Sequence, residues 1–191
     1  MRSLVLAVLL SCAPSLLRAD GELPTLLTPA DKTRLEGLGA IRQDALAAAR
    51  AGGSPDDVAV LDAALAGDAL PFDEHLDPTG EWRCRVIKAG GTVPLVVYGW
   101  FRCRISDDGA GWMLQKLSGS QRTQGRFYTQ DDTRLVYLGS GYMAGEAAGT
   151  YGKDAARDQV AIATRRSAKR LVLEFPQPAV ESLLDVMVLE R

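Results

Sequence analysis

Gly80-Glu81-Trp82-Arg83-Cys84-Arg85-Val86 and Gly99-Trp100-Phe101-Arg102-Cys103-Arg104-Ile105 echo each other on either side of Ala89-Gly90-Gly91, a turn signal. The echo predicts a β-hairpin over residues 80–105. With Cys84 opposite Cys103, antiparallel partners sum to 187, so Trp82 faces Ile105 and Val86 faces Phe101. Period-two alternation gathers these six residues on one face. The other face carries Arg83 opposite Arg104 and Arg85 opposite Arg102. One register therefore predicts an apolar face, a Cys84–Cys103 disulfide and a quartet of arginines. Like charges directly across strands repel by up to about 1 kcal/mol a pair. The quartet thus calls for negative charge, from the acidic N-terminal segment, from Asp185 on the last strand, or from an outside anion that arginine forks suit. Arg83, Arg85, Arg102 and Arg104, with Trp82 and Trp112, are the candidate ligand-binding residues.

Beyond the hairpin the pattern stays that of strands. Eight are expected, at 80–88, 95–106, 112–118, 121–129, 134–142, 159–165, 170–175 and 182–190. Asp107-Asp108-Gly109, Ser118-Gly119-Ser120, Asp131-Asp132 and Ser167-Ala168-Lys169 punctuate them. Matching apolar positions places Trp112 and Leu114 against Phe127 and Gly125, and those against Val136 and Leu138. In the same way Val160 and Ile162 meet Phe175 and Leu173. Residues 143–158, rich in Gly and Ala, read as a lid or mobile segment. Consecutive short antiparallel strands predict an up-and-down barrel. Eight strands leave an interior that side chains nearly fill or that holds one small ligand. Trp82, Trp112, Phe101 and Phe127 are large enough to fill it.

The N-terminal part reads differently. Residues 20–27 are expected to be mobile. Thr28-Pro29-Ala30-Asp31 then predicts a helix start, with Thr28 as cap and Pro29 as first helical residue. Leu35, Leu38, Ile41, Ala45, Leu46 and Ala49 follow at helical spacing as far as Gly52-Gly53. Ser54-Pro55-Asp56-Asp57 starts a second helix whose stripe is Val58, Leu61 and Leu65. Residues 68–79 form a linker in which Leu70 and Phe72 are anchors and His75, the single histidine, is solvated. The expected organisation is α+β: a signal segment at 1–19, a helical hairpin and linker at 20–79, and an eight-stranded antiparallel up-and-down β-barrel at 80–191. The hairpin packs on the barrel through Leu35, Leu38, Ile41, Val58, Leu61 and Leu65.

The chain has 191 residues, 47 % hydrophobic and 24 % charged, with formal net charge -2, enough for one core. Arg2, the apolar run at 4–10 and Ala19 read as an export signal, which predicts a periplasmic or secreted protein. Leu9-Leu10-Ser11-Cys12 offers a minority lipoprotein reading through Cys12. Two cysteines then remain, and an even count in an exported chain favours their pairing. No apolar run long enough for a transmembrane segment follows the signal. Residues 20–80 carry 12 acids and 4 bases, and residues 81–191 carry 16 bases and 12 acids. The two parts are therefore complementary, and without a basic patch interleaved with aromatics no nucleic acid is expected.

The motif search finds no H-E-x-x-H, G-x-S-x-G, P-loop or G-x-G-x-x-G. No catalytic set, metal site or cofactor is expected. Asp107-Asp108 and Asp131-Asp132 are explained by turn chemistry. The polar strand pair over 116–128 is open to two readings, a lined site or an exposed sheet face. The expected function is non-enzymatic: an exported barrel that holds a small apolar or amphipathic ligand. The alternatives are a periplasmic protein-interaction module or enzyme inhibitor, and a hydrolase with an unrecognised carboxylate site.

Two resemblances attach to these residues. Trp82-Arg83-Cys84-Arg85 and the stretches 94–104, 116–122, 136–142 and 176–185 resemble an uncharacterised exported proteobacterial family, domain of unknown function 4893, from about Leu27 to the C-terminus. That likeness implies membership and no activity. Gly80-Glu81-Trp82, placed before eight strands, is similar to the G-x-W signature of the lipocalins and implies a calycin-like barrel. Lipocalins pair that Trp with a basic residue from the last strand, for which Arg191 is the candidate here. Periplasmic metalloprotease inhibitors use a similar small disulfide-bonded barrel, so inhibition is a second implication of the likeness.

Overall fold

The computed structural model describes residues 23–73 and 75–191; the residues read as an export signal, and Cys12, lie outside the described residues. Eight antiparallel strands follow one another in chain order and close into a barrel. They are β1 (Gly80–Gly91), β2 (Leu95–Asp107), β3 (Trp112–Lys116), β4 (Gln121–Asp131), β5 (Arg134–Met143), β6 (Asp158–Ser167), β7 (Arg170–Pro176) and β8 (Ser182–Glu190). β8 pairs back onto β1, so no sheet edge is left open. The turns behave as their residues demand. Asp107 accepts the Gly109 N–H at 2.8 Å and Asp131 the Thr133 N–H at 2.9 Å.

Cys84 and Cys103 are joined, with Cα atoms 5.8 Å apart, but they are not directly opposite. Cys84 faces Phe101, and Cys103 faces Trp82. The hairpin partners sum to 185 here, not 187. Near the turn Ile87 pairs with Val97, while Arg85 pairs with Trp100. Two residues, Tyr98 and Gly99, therefore oppose the single Val86. This bulge and the turn set the register, and a diagonal pair of cysteines is close enough to bond. Because the slip is by two, the apolar six and the four arginines keep their predicted faces, while the bulge turns Leu95 and Val97 to the outer side with Ile87 and Ala89. The arginine pairs do change: Arg83 faces Arg102, Arg104 faces Glu81, and Arg85 faces Trp100.

Leu114 meets Gly125 as expected. Two other registers differ by one residue. Phe127 pairs with Tyr137, not Val136, and Leu173 pairs with Ala163, not Ile162. The cause is that β5 and β6 are apolar on both faces, so hydrophobicity does not say which face points inward. Tyr137, Ala161 and Ala163 belong to the interior. Val136, Leu138, Val160 and Ile162 point outward under the N-terminal residues Leu23, Leu27 and Leu35.

Leu23 and Leu35 sit on α1 (Leu23–Leu26) and α2 (Pro29–Glu36), with Leu27 just past α1, and α3 (Leu38–Gly52) and α4 (Pro55–Leu65) follow. Part of the segment expected to be mobile is thus helical and packed. The long first helix is divided at Gly37, where helix propensity is lowest. The break lets α2 cover β6 while α3 crosses β1 and β8. Ala45, Leu46 and Ala49 of α3 and Leu61 and Ala64 of α4 bury against Ile87, Ala89, Leu184 and Val186. Leu35, Leu38, Val58 and Leu65 pack at the margins, and Ile41 lies outside these clusters. Thr28 and Ser54 cap their helices by accepting the Asp31 and Asp57 N–H groups, each at 3.2 Å. Arg166 and Arg170 donate to the carbonyls of Gly67 and Ala63, placing positive charge at the end of α4.

Inside the barrel, one end is full. Trp82, Ile105, Leu114, Phe127, Tyr137, Leu171, Leu173, Phe175 and the disulfide fill it. Tyr137 is the largest fully buried side chain. Its ring occupies space that two glycines leave: a Cβ on Gly139 would lie 2.3 Å from the Tyr137 hydroxyl, and one on Gly125 2.7 Å from Cζ. Phe127 and Phe175 flank the ring at centroid distances of 5.6 and 5.7 Å. Phe72 from the linker plugs this end, its N–H donating to Asp132 at 2.7 Å.

Candidate functional site

The other end is built from charge. Reading inward positions from the closed end, β1 runs Trp82, Cys84, Val86, Lys88, and β3 runs Trp112, Leu114, Lys116. β8 runs Leu189, Met187, Asp185. Each series begins apolar and ends in an ionisable group at the same mouth. β4 adds Thr123 and Gln121, and β6 adds Gln159. The floor of the mouth is a hydrogen-bonded chain. The Tyr137 hydroxyl lies 2.6 Å from Thr123 Oγ1, which lies 2.5 Å from Gln159 Oε1. Burial pushes the Tyr137 hydroxyl well above its usual range, so it stays protonated.

Above that floor three adjoining spaces share Gln121, with volumes of ≈ 60, 170 and 250 Å³. At the closed end the corresponding volume, between Phe72, Trp112 and Phe127, is ≈ 0 Å³. Lys88 is 6 % exposed and its Nζ lies 3.1 Å from Glu181 Oε2 and 3.9 Å from Asp185 Oδ2. Lys116 is equally buried, but among the described residues its Nζ donates only to the Gln121 carbonyl, at 2.7 Å, and it lies 4.0 Å from the Phe101 ring centroid. Burial pushes the Lys116 amine down to about 8; Asp185 opposes that shift, and Lys88 and Arg122 add to it. Burial likewise raises the Asp185 carboxyl above the usual carboxylate range, against a 2.5 Å hydrogen bond from Ser182 Oγ and the pull of Lys88. Arg122 donates to the Gly119 carbonyl at 3.2 Å.

The rim is the β7–β8 connection. Gln177 and Glu181 both hold positive φ, 44° and 76°, conformations that non-glycine residues rarely adopt. Glu181 is held there against bare backbone: a Cβ on Gly91 would lie 1.8 Å from the Glu181 carbonyl oxygen. The segment between β5 and β6, read as a lid or mobile segment, flanks the mouth and has definite anchors. Arg157 pairs with Glu146 at 2.9 Å, and the Tyr151 hydroxyl donates to the buried Asp31 at 2.6 Å.

The six residues singled out for ligand binding are not gathered at one place. The arginines stand on the outer wall, and Trp82 and Trp112 lie inside the closed end. For two of the arginines the compensating charge is internal and sits on the same sheet. Arg83 pairs with Glu190 at 2.8 Å and Arg104 with Glu81 at 2.5 Å. Arg83 and Arg85 also stack on Trp100, at 4.4 and 4.5 Å from its centroid. Asp185, a proposed compensator, instead faces Lys88 at the mouth. Trp82 is covered by Arg191 at 4.4 Å, the pairing that the lipocalin likeness implies. Arg191 also donates to the Thr79 and Asp77 carbonyls, at 2.8 and 2.7 Å, and so ties the chain's end to the start of the barrel.

Lys88, Lys116, Gln121, Thr123 and Gln159 were not singled out by the sequence, apart from the open reading of 116–128 as a lined site. The signal was present as inward parity: Lys88 lies two residues past Val86, and Lys116 two past Leu114. The family described as Domain of unknown function (DUF4893) matches residues 25–189. No curated protein and no solved structure matches the chain.

Proposed function

The chain belongs to the DUF4893 family, whose description names no activity, and from that premise we propose an exported binding protein that holds a small anionic or amphipathic ligand in the barrel mouth. The observation that carries this reading is an imbalance of pairing. Lys88 has two carboxylates within ion-pair distance, whereas Lys116 and Arg122 have none among the described residues, although each of the three adjoining spaces is lined by two of these three cations. A carboxylate or phosphate on the ligand supplies the missing charge. Val86, Phe101, Phe175 and Met187 offer apolar wall to a short tail. A long apolar ligand has no room, because the closed end is filled. The Cys84–Cys103 disulfide supports export, since such bonds persist in oxidising compartments.

Thermal unfolding with octanoate and with octanol tests this. Octanoate at about a hundred times its Kd is expected to add about 2.7 kcal/mol of stability, and octanol little. Lys116→Gln with Arg122→Gln removes the difference. Octanoate affinity falls as pH rises through about 8, because the Lys116 ammonium that pairs with the carboxylate loses its proton there. Equal response to acid and alcohol refutes the anion reading.

A second reading, docking of an acidic protein surface, is favoured by the outer wall. Trp100 is 37 % exposed between Arg83 and Arg85. Arg102 beside it has no carboxylate partner among the described residues.

A further inference from the structure

The mouth contains a nucleophile that anion binding alone does not use. The Lys116 amine lines two of the spaces, of ≈ 60 and 170 Å³, while the residue itself is 6 % exposed. One of its protons is engaged by the Gln121 carbonyl at 2.7 Å, and the Phe101 ring forms one wall. The charged groups facing it are Lys88 from β1, Arg122 from β4 and Asp185 from β8, with Arg34 of α2 at the edge of the same space. Desolvation beside other cations is how proteins hold a lysine as the free amine, which is its nucleophilic form.

We propose that Lys116 captures small aldehydes in the barrel mouth as an imine, so that the cup is a covalent carbonyl-binding site; this rests on the mouth being the ligand site. The Nζ lone pair adds to the carbonyl carbon, and a proton passes from nitrogen to oxygen, giving a carbinolamine. The nitrogen lone pair then forms the C=N bond as the C–O bond breaks. The hydroxyl takes up a proton and leaves as water through the open end, and the iminium nitrogen gives up its remaining proton to yield the imine. No electrons are gained or lost overall. Asp185, lining the same space and held above the usual carboxylate range by burial, is the acid–base group placed for the proton transfers. An anionic substituent on the aldehyde has Arg122 and Lys88 at hand. At pH 7.4 roughly a fifth of an amine titrating near 8 is uncharged, against about a thousandth of an ordinary lysine.

The experiment is reductive trapping on the disulfide-bonded chain with glyoxylate and cyanoborohydride, followed by peptide mapping across Lys32, Lys88, Lys116, Lys153 and Lys169. Lys116 is expected to be modified at least about tenfold faster than Lys32, Lys153 and Lys169, with a rate that climbs with pH and levels off above about 8. Comparable rates at all five, or preferential modification of Lys88, overturn the proposal. Octanoate binding is measured on the same preparation and has the opposite pH trend, so the two readings fail separately. Octanoate affinity without preferential trapping leaves an anion cup and no imine. Trapping at Lys116 without octanoate affinity supports the carbonyl site and removes the anion reading.

Discussion

The two ends of this barrel are made by the same strands and follow opposite rules. At the closed end the packed interior cluster is apolar and aromatic, and the interior has no room left. At the mouth the same alternation delivers Lys88, Lys116 and Asp185, and the spaces among them reach ≈ 250 Å³. The closed end gains from burial, while the mouth bears the desolvation of three ionisable groups, seen in the shifts of Lys116 and Asp185. The difference teaches that stability and binding are separated along the barrel axis. The filled half holds the wall rigid so that the other half can keep costly groups in place.

That separation can be broken experimentally, and the closed end should show the largest effect. Phe127→Ala removes a ring packed on Tyr137 and should cost about 3–5 kcal/mol in urea unfolding. A loss below about 1 kcal/mol would show that this end is not the foundation described. Replacing both Cys84 and Cys103 by Ala should cost about 3 kcal/mol by the chain-entropy model, read from the same transition without reductant. At the boundary between the ends, Thr123→Val leaves the buried Tyr137 hydroxyl without its hydrogen bond and should cost about 1–3 kcal/mol. If Thr123→Val instead costs as much as Phe127→Ala, the boundary belongs to the filled half. Arg102→Ala on the outer wall should change stability by less than about 0.5 kcal/mol, since the quartet's compensation runs through Glu81, Glu190 and Trp100. A larger loss would give the outer wall a structural role.

Much of the barrel was legible because period two and turn chemistry are local signals. Eight strands, the Leu114–Gly125 register and the pairing of Cys84 with Cys103 could all be read from alternation, turns and cysteine arithmetic. The readings that slipped did so for identifiable reasons. The Tyr98-Gly99 bulge shifted the first hairpin by two residues, a device that hydrophobic patterning does not reveal. β5 and β6 slipped by one because Val136, Leu138, Val160 and Ile162 are as apolar as their inward neighbours. Which face was interior depended on where α1 and α2 lay, and the split at Gly37 that put α2 there falls inside one continuous run of helical spacing.

The candidate site divides in the same way. The arginines attracted notice because like charges face each other in a local hairpin, and local acids and Trp100 answer Arg83, Arg85 and Arg104. The mouth drew less notice because its groups are far apart in the chain. Lys88, Lys116 and Asp185 each occupy an inward position that parity alone assigns. Nothing within any single strand says that the three positions share one end of one cavity. The sequence by itself determined the strands, the faces of most side chains, the cysteine pair and the complementary charge of the two halves, because each depends on neighbours within a few residues or on simple counting. Only tertiary structure decided the registers on doubly buried strands, the filling of one end by Tyr137 against two glycines, and the meeting of two lysines and an aspartate at the other. The last of these depends on closure of β8 onto β1, which brings together positions almost a hundred residues apart, among them Lys88 and Asp185.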